Sequence, residues 1–559
     1  MERNWLKHYP ADVPPHVDTG AYASLVELLD DSFAKYADRT AFKFLGRDYA
    51  YARIGDLARA FAAWLQGRGL APGDRVAVMM PNLPQYPVAV AGILRAGMVV
   101  VNVNPLYTPR ELAHQLADSG AKAIIVFEKF AATLQKVLPE VATTEIVLAS
   151  IGDMLGAVKG ALVDFVLRSV RKEIPAFDLP GAVRFNDALA AGRRGDFRPV
   201  PVGPDDIAVL QYTGGTTGAS KGAILLHRNL VANVLQSQAW HQPALKRIPP
   251  GEQTVTVCAL PLYHIFGFNS NMMLGLRTGG CNLLIPNPRD IPAVLKELRR
   301  QPFHSLPAVN TLFNALANHP DFGKVDWSRL VLSVGGGMAV QQATAQRWLE
   351  KTGCPICEGY GLSETSPAVA CNPVDARAYS GTIGLPLPDT DVVLLDDVGA
   401  EVGPGGRGEI AVRGPQVMAG YWRRPDETAQ AMTADGFFRT GDIGEVDERG
   451  YFKVVDRKKD MILVSGFKVY PNEVEDVVAL LPGVLECAAV GMADERTGEA
   501  VKLVIVRKDP ALSEADVKAW CETNLTGYKR PRFIEFRTEL PKSPVGKILR
   551  RALRDRHSA

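Results

Sequence analysis

The run from Arg75 to Phe127 limits the folds open to this chain more than any other stretch. Arg75–Met79 has the apolar, β-branched texture of a buried strand, Tyr86–Arg95 the spacing of a helix, and Met98–Val103 a second strand. Thr108-Pro109-Arg110-Glu111 is a capping box with proline at the first helical position, opening a helix that runs to about Ser119. Ala123–Phe127 is a third buried strand. Strands joined through helices run parallel, and a parallel sheet needs helices on both faces. The pattern returns at Asn282–Pro286, Ile291–Arg300, Arg329–Val334 and Val340–Lys351. The chain is therefore expected to be α/β, with two doubly wound α/β subdomains side by side.

After Asp375 the texture changes. Short runs such as Val392–Leu395 and Gly408–Val412 lie between Gly, Pro and Asp turns, which predicts a small antiparallel sheet or β-barrel-like subdomain. Asp456-Arg457-Lys458-Lys459-Asp460 is charged and turn-like, and about a hundred residues with their own α+β pattern follow it. We place a boundary there, giving a large N-terminal domain over 1–457 and a small C-terminal domain over 458–559. A chain of 559 residues is too long for one core, so such a division is expected.

Hydrophobic residues make up 47% and charged residues 22%, and the formal net charge is +2. That balance suits a globular protein with a large core and excludes a basic nucleic-acid-binding tail. The seven cysteines are scattered, which predicts reduced thiols, and the lone Cys354/Cys357 pair reads as structural. The first residues carry charges and prolines where a signal peptide needs an apolar run, and no uncharged stretch is long enough to span a bilayer. The end, His557-Ser558-Ala559, is not a peroxisomal address. A cytoplasmic location is expected.

The strongest chemical signal is Tyr212–Gly222, YTGGTTGASKG, directly after the strand Ile207–Gln211. Gly214, Gly215, Gly218 and Gly222 let backbone N–H groups approach an anion. Thr213, Thr216, Thr217 and Ser220 add hydroxyls, and Lys221 adds a positive charge. The composition suits a polyphosphate. It is not a Walker A loop, because Gly222 follows the lysine where that motif needs Ser or Thr.

This loop resembles the phosphate loop of the adenylate-forming superfamily, which holds acyl-CoA synthetases, luciferases and peptide-synthetase adenylation domains. Further segments match in the expected order: Leu260–Phe266 (LPLYHIF), Ser333–Gly337 (SVGGG), Glu358–Thr365 (EGYGLSET), Gly436–Asp442 (GFFRTGD), Asp456–Pro471 (DRKKDMILVSGFKVYP) and Pro541–Lys547 (PKSPVGK). Over nearly its whole length the chain is most similar to bacterial long-chain fatty acyl-CoA synthetases. The resemblance implies an enzyme that uses ATP, Mg²⁺ and coenzyme A to turn a fatty acid into its thioester through an acyl-adenylate.

The same resemblance assigns roles. Thr213, Thr217 and Lys221 would meet the phosphates, and Glu364, with Ser363 beside it, would hold Mg²⁺. Tyr360 and Gly361 would border adenine, with Gly335, Gly336 and Gly337 close to the base and the acyl carbonyl. Asp442 would hold the ribose, and Arg457 would reinforce the ribose or phosphate contact. Lys547 would reach between carboxylate and α-phosphate on a mobile C-terminal domain. Lys459 maps to the hinge of that domain, and Ser465, Gly466 and Lys468 would border the pantetheine path after it rotates. His264 and the aromatic gate Phe268 would line the acyl pocket, with Met272, Met273 and Leu274 suiting a tunnel.

An insert, Gly152–Pro175, carries Leu155, Val158, Leu162, Val166 and Val170 at helical spacing, with Arg168, Arg171 and Lys172 clustered at its end. Similar inserts occur in the bacterial long-chain enzymes. Two readings stay open: a peripheral helix on an anionic inner membrane, or a helix packed on its own domain. A homodimer also stays open. So do three rival functions: ligation of an aryl or medium-chain acid, an acyl-AMP-forming enzyme that does not use coenzyme A, and a non-catalytic fatty-acid-binding or uptake protein. The last is disfavoured because a binder has no use for an ATP and metal site.

Overall fold

A computed structural model describes residues 3–213, 220–494, 496–543 and 546–554. Its first sheet has eight strands in the spatial order Gly420–Tyr421, Lys221–Leu226, Ile207–Thr213, Val99–Asn102, Arg75–Met79, Ala123–Phe127, Glu145–Ala149 and Val183–Arg184. From Ile207–Thr213 onward these pairs are parallel. The central strands Val99–Asn102 and Ala123–Phe127 are buried at every position. That is why they read as unbroken apolar runs rather than as alternation. The helix Pro109–Ser119 begins at the expected capping box, with Thr108 and Glu111 each closing on the other's backbone, and ends at left-handed Gly120, φ 60°.

A second sheet has nine strands in the order Leu385–Pro386, Ala368–Cys371, Ile356–Gly361, Leu332–Gly335, Ser305–Ala308, Val255–Cys258, Cys281–Leu284, Thr40–Phe44 and Arg47–Ala50. Its middle is parallel and its two ends are antiparallel. Phe42, Phe61, Tyr86, Phe185 and Phe268 are fully buried in one shared core. In open α/β sheets, ligands sit beyond the carboxyl ends of the strands. Here the ends of Ile207–Thr213, Val255–Cys258, Leu332–Gly335 and Ile356–Gly361 lead into Lys221, His264, Gly336 and Tyr360, which line one cavity.

The predicted β-rich part is a five-stranded antiparallel sheet, Glu401–Val402, Asp391–Leu395, Arg407–Arg413, Phe438–Val446 and Phe452–Arg457. Its last hairpin sets Asp442 opposite Arg457.

Beyond Asp460 the chain builds a separate sheet around the hairpin Val484–Asp494/Gly498–Arg507, with Phe533–Arg537 parallel to the second arm. Its apolar clusters, which include Ile462, Val474, Leu503, Cys521 and Leu553, contain no residue from the rest of the chain among those described. Contacts with the larger body are polar. Asn314 Nδ2 donates to Leu485 O at 3.0 Å, Thr311 Oγ1 to Gly546 O at 2.9 Å, and Arg289 Nη2 to Ser543 O at 3.1 Å. A polar interface without a shared core is the kind that domains slide or separate along.

The insert forms a helix, Ala157–Phe165, continued by a wide π turn, Val166–Val170. Asp164 faces inward, accepting from Ser150 Oγ at 2.7 Å and from Gly152 N at 2.8 Å. Lys159 Nζ donates to Leu45 O, and Leu155 is buried. Val158, Leu162, Phe165 and Val170 point outward, 86%, 60%, 59% and 64% exposed. No helix among the described residues is long and apolar enough to cross a membrane.

Candidate active site

A cavity of about 1960 Å³ runs between the two large sheets, the antiparallel sheet and the small domain. It is larger than the few hundred to about 1,000 Å³ of ordinary ligand pockets, so several substrates fit at once.

Thr213 and Lys221 face each other across the antiparallel pair that carries the phosphate loop. Both line the cavity. Gly214, Gly215, Thr216, Thr217 and Gly218 lie outside the described residues. Lys221 Nζ pairs with Glu427 and sits 4.8 Å from the ring centre of Tyr421. The Tyr421 hydroxyl donates to Glu364 Oε1 at 2.9 Å. One tyrosine thus touches both the loop lysine and the expected metal carboxylate. Tyr421 and Glu427 were not singled out from sequence. They lie some two hundred residues beyond the loop, and the pairing of Gly420–Tyr421 with Ala223 and Ile224 brings them in.

Glu364 is buried, and burial raises its pKa above the usual carboxylate range, against the opposing pull of Tyr421 and Arg457. A buried carboxylate with too little positive charge around it fits a site completed by a cation. Among the described residues no cluster of three or more His, Cys, Asp or Glu could hold a metal. A lone carboxylate is nonetheless the donor set that Mg²⁺ takes when phosphate oxygens and water supply the rest.

Tyr360 OH donates to Asp442 Oδ2 at 2.7 Å, and Arg457 Nε lies 3.3 Å from Asp442 Oδ1. Gly336 must be glycine, because a Cβ there would come within 2.9 Å of the Phe266 ring. At Gly361 a Cβ would meet Pro367 O at 1.9 Å. Gly337 adopts φ +77° and lines the cavity with Gly336, Tyr360, Gly361 and Ser363. Gly335 lies one residue deeper, tight against Val340 and Ile356, and is not on the cavity wall.

His264 is enclosed, and burial, helped by nearby Lys547, lowers its pKa to about 4. It is neutral at physiological pH. Its Nδ1 accepts from Phe266 N at 3.2 Å, which leaves the proton on Nε2. Lys547 enters the same cavity from the small domain. Its pKa falls to about 7, first through burial and then through repulsion by Arg457. Its own backbone is fixed by Ser543, while Arg550 three residues on ties the arm to Asp456 and Glu475. Lys459 is exposed to solvent yet lines the cavity, and desolvation by the surrounding protein lowers its pKa.

Three expected residues lie elsewhere. Phe268 is fully buried in the wide-turned helix Phe266–Met273, packed in the core with Met272 and Met273. Gly466 and Lys468 sit on the exposed hairpin Ile462–Val464/Phe467–Val469, off the cavity wall.

Residues 29–422 match the AMP-binding enzyme family, and residues 473–547 match the AMP-binding enzyme C-terminal domain. The chain belongs to the AMP-binding enzyme family. Within that family it is 54% identical to the long-chain-fatty-acid–CoA ligase of Escherichia coli O157:H7, over 99% of this chain and 98% of the relative. It is 47% identical to the ligase of the same name from Haemophilus influenzae, over 100% and 99%. Among solved structures, ATP-bound MatB from Rhodopseudomonas palustris superposes with a TM-score of 0.80 at 30% identity, covering 95% of this chain and 98% of that one. This membership accounts for the order of motifs along the sequence and for the two-part architecture.

Proposed function

We propose that the chain is an AMP-forming long-chain fatty acid–CoA ligase. The carboxylate oxygen attacks the α-phosphorus of ATP, diphosphate leaves, and the acid becomes a mixed anhydride with AMP. The thiol of coenzyme A then attacks the acyl carbon, and AMP leaves. The observation that carries the reading is the meeting of Lys547, Glu364, Asp442 and His264 in one cavity. A non-catalytic fatty-acid binder has no use for that set.

In this reading the Lys547 ammonium lies where negative charge gathers during adenylation. Neutral His264 presents its Nε2–H to the acyl carboxylate end. Asp442 takes the ribose hydroxyls, steered by Arg457, and the Tyr360 ring stacks on adenine over Gly336 and Gly337. Thr213, Lys221 and the loop residues Gly214, Gly215, Thr216, Thr217 and Gly218 hold the phosphates. Glu364, oriented by Tyr421, would hold Mg²⁺, which supplies charge neutralisation of the phosphates when bound.

Lys547 blocks the side from which a thiol would come, so the second step needs the small domain to move. The polar interface supports that movement. We place the boundary between Arg457 and Lys458, the hinge at Lys459, and Gly466 and Lys468 at the cavity after rotation.

The outward apolar face of Val158, Leu162, Phe165 and Val170, beside Arg171 and Lys172, supports docking on an anionic membrane surface. An insoluble acid would be collected there.

The deciding test is mass-spectrometric product analysis with ATP, Mg²⁺, coenzyme A and a panel of short, medium, long and aromatic acids. Long-chain acyl-CoA with AMP is expected. Acyl-AMP without thioester, or thioesters of aryl acids alone, would overturn the reading.

A further inference from the structure

The helix His227–Leu245 runs along the cavity. Most of its inward polar side chains are matched to protein groups. Asn229 Nδ2 donates to Pro415 O at 2.8 Å, Asn233 exchanges two hydrogen bonds with the backbone of Ala368, Gln236 donates to Pro388 O at 2.6 Å, and Trp240 Nε1 donates to Asn372 O at 3.1 Å. This is the usual state of buried polar groups.

His241 and Ser237, one turn apart on the same face, turn toward the cavity instead. Both line the cavity, and neither side chain has a hydrogen-bond partner among the described residues. Ser270, from the facing wide-turned helix, lines the same space and is equally unpaired. Burial alone lowers the His241 pKa to about 4, so its imidazole is neutral. The three groups belong to the cavity that holds His264 and Lys547. Phe266 links the regions: its ring lies beneath Gly336 and packs in the cluster of Trp240 and Val334.

A wall meant only for hydrocarbon has no reason to carry an unpaired imidazole and two unpaired hydroxyls. Open to the cavity, each meets water while the space is empty of substrate. A saturated chain that displaces the water leaves the groups unmatched. A chain ending in a hydroxyl matches them.

Resting on the ligase reading above, we propose that His241, with Ser237 and Ser270, forms a polar pole in the acyl part of the cavity that accepts a neutral hydrogen-bonding group at the far end of the chain. ω-Hydroxy fatty acids are then substrates. Acids carrying a second carboxylate are not, because a neutral, enclosed imidazole cannot compensate an anion.

The test compares kcat/KM for saturated acids and their ω-hydroxy partners across a homologous series, in the parent enzyme, His241→Leu and His241→Gln. At the chain length that reaches the pole, His241→Leu is expected to lower the ω-hydroxy-to-saturated ratio about fivefold, chiefly through KM. It should also improve use of the saturated acid, and His241→Gln should restore most of the ratio. A ratio unchanged by His241→Leu at every chain length overturns the proposal. So does a parent enzyme that thioesterifies saturated acids but rejects every ω-hydroxy acid. A parent enzyme that makes no acyl-CoA overturns the ligase reading instead. If His241→Leu does not fold, Ser270→Ala provides the same comparison and is expected to lower the ratio about twofold; an unchanged ratio there counts against the pole.

Discussion

Two regions of this molecule reverse the ordinary rule of burial in opposite directions. In the cavity, charge and polarity are inside: Lys547, Glu364, Asp442 and Glu358 are enclosed by protein. On the insert helix, grease is outside: Val158, Leu162, Phe165 and Val170 face solvent. Both arrangements cost folding free energy. Each makes sense if another molecule completes it, nucleotide and metal in one case and a lipid surface in the other. Departures from folding preference are therefore the most direct pointers to function here.

The largest effect should come from the cavity. Lys547→Ala is expected to slow acyl-adenylate formation by at least about a hundredfold. Conversion of supplied acyl-AMP and coenzyme A to thioester should survive. Loss of that second half-reaction would break the comparison, because Lys547 would then be serving structure rather than one chemical step. Lys459→Pro is the reciprocal case: acyl-AMP forms, while acyl-CoA turnover falls on the order of tenfold or more.

The insert comes next. Replacing Leu162 and Phe165 by serine should weaken co-sedimentation with anionic vesicles about tenfold, with little change in thermal stability, because the replaced side chains face solvent. Equal sedimentation of the variant would remove the membrane role and leave the exposed face unexplained.

Tyr421→Phe sharpens the cavity side. It keeps the ring under Lys221 and removes the hydroxyl from Glu364. The half-saturating Mg²⁺ concentration, followed by nucleotide binding calorimetry, should rise about threefold to tenfold. Unchanged metal dependence would mean that Glu364 does not need its tyrosine.

The smallest effect is on stability. Glu358 accepts a hydrogen bond from Val340 N at 3.0 Å, and burial raises its pKa to about 8 from 4.5. The folded protein therefore holds a proton that the unfolded chain releases above pH 4.5, and stability is lost as pH climbs toward 8. Glu358→Gln should match the parent near pH 4.5 and gain on the order of 1–3 kcal/mol by pH 8. Urea unfolding across that range checks it. A constant difference would mean that the carboxyl ionises freely in the fold.

Much of this was legible beforehand, for local reasons. The strand Ala123–Phe127 has the predicted bounds, and the helix before it, Pro109–Ser119, starts at the predicted box. Arg75–Met79 also has its predicted bounds, while Gln85–Arg95 and Val99–Asn102 differ from theirs by a residue, since helix and strand ends depend on hydrogen bonds that the sequence pattern does not show. The insert was legible as a helix but not in its orientation. Its stripe of Leu155, Val158, Leu162, Val166 and Val170 could equally have faced inward. In the fold Leu155 is buried while Val158, Leu162 and Val170 face solvent, with Asp164 anchoring the opposite face to Ser150 and Gly152. Phe268 carries no sequence mark to separate a gate from a core residue, and in the fold it lies in the core.

The sequence by itself determined the kinds and order of the elements and the phosphate loop with its lysine. These rest on periods of two and 3.6 residues and on spacings of a few residues, and both are local. Only the tertiary structure decided that Tyr421 bridges Lys221 and Glu364, that Lys547 reaches the wall bearing His264, and that His241 stands unpaired in the same space. Those relations join residues tens to hundreds of positions apart. They are set by which sheet edge pairs with which strand and by how two domains meet, and no local period records that.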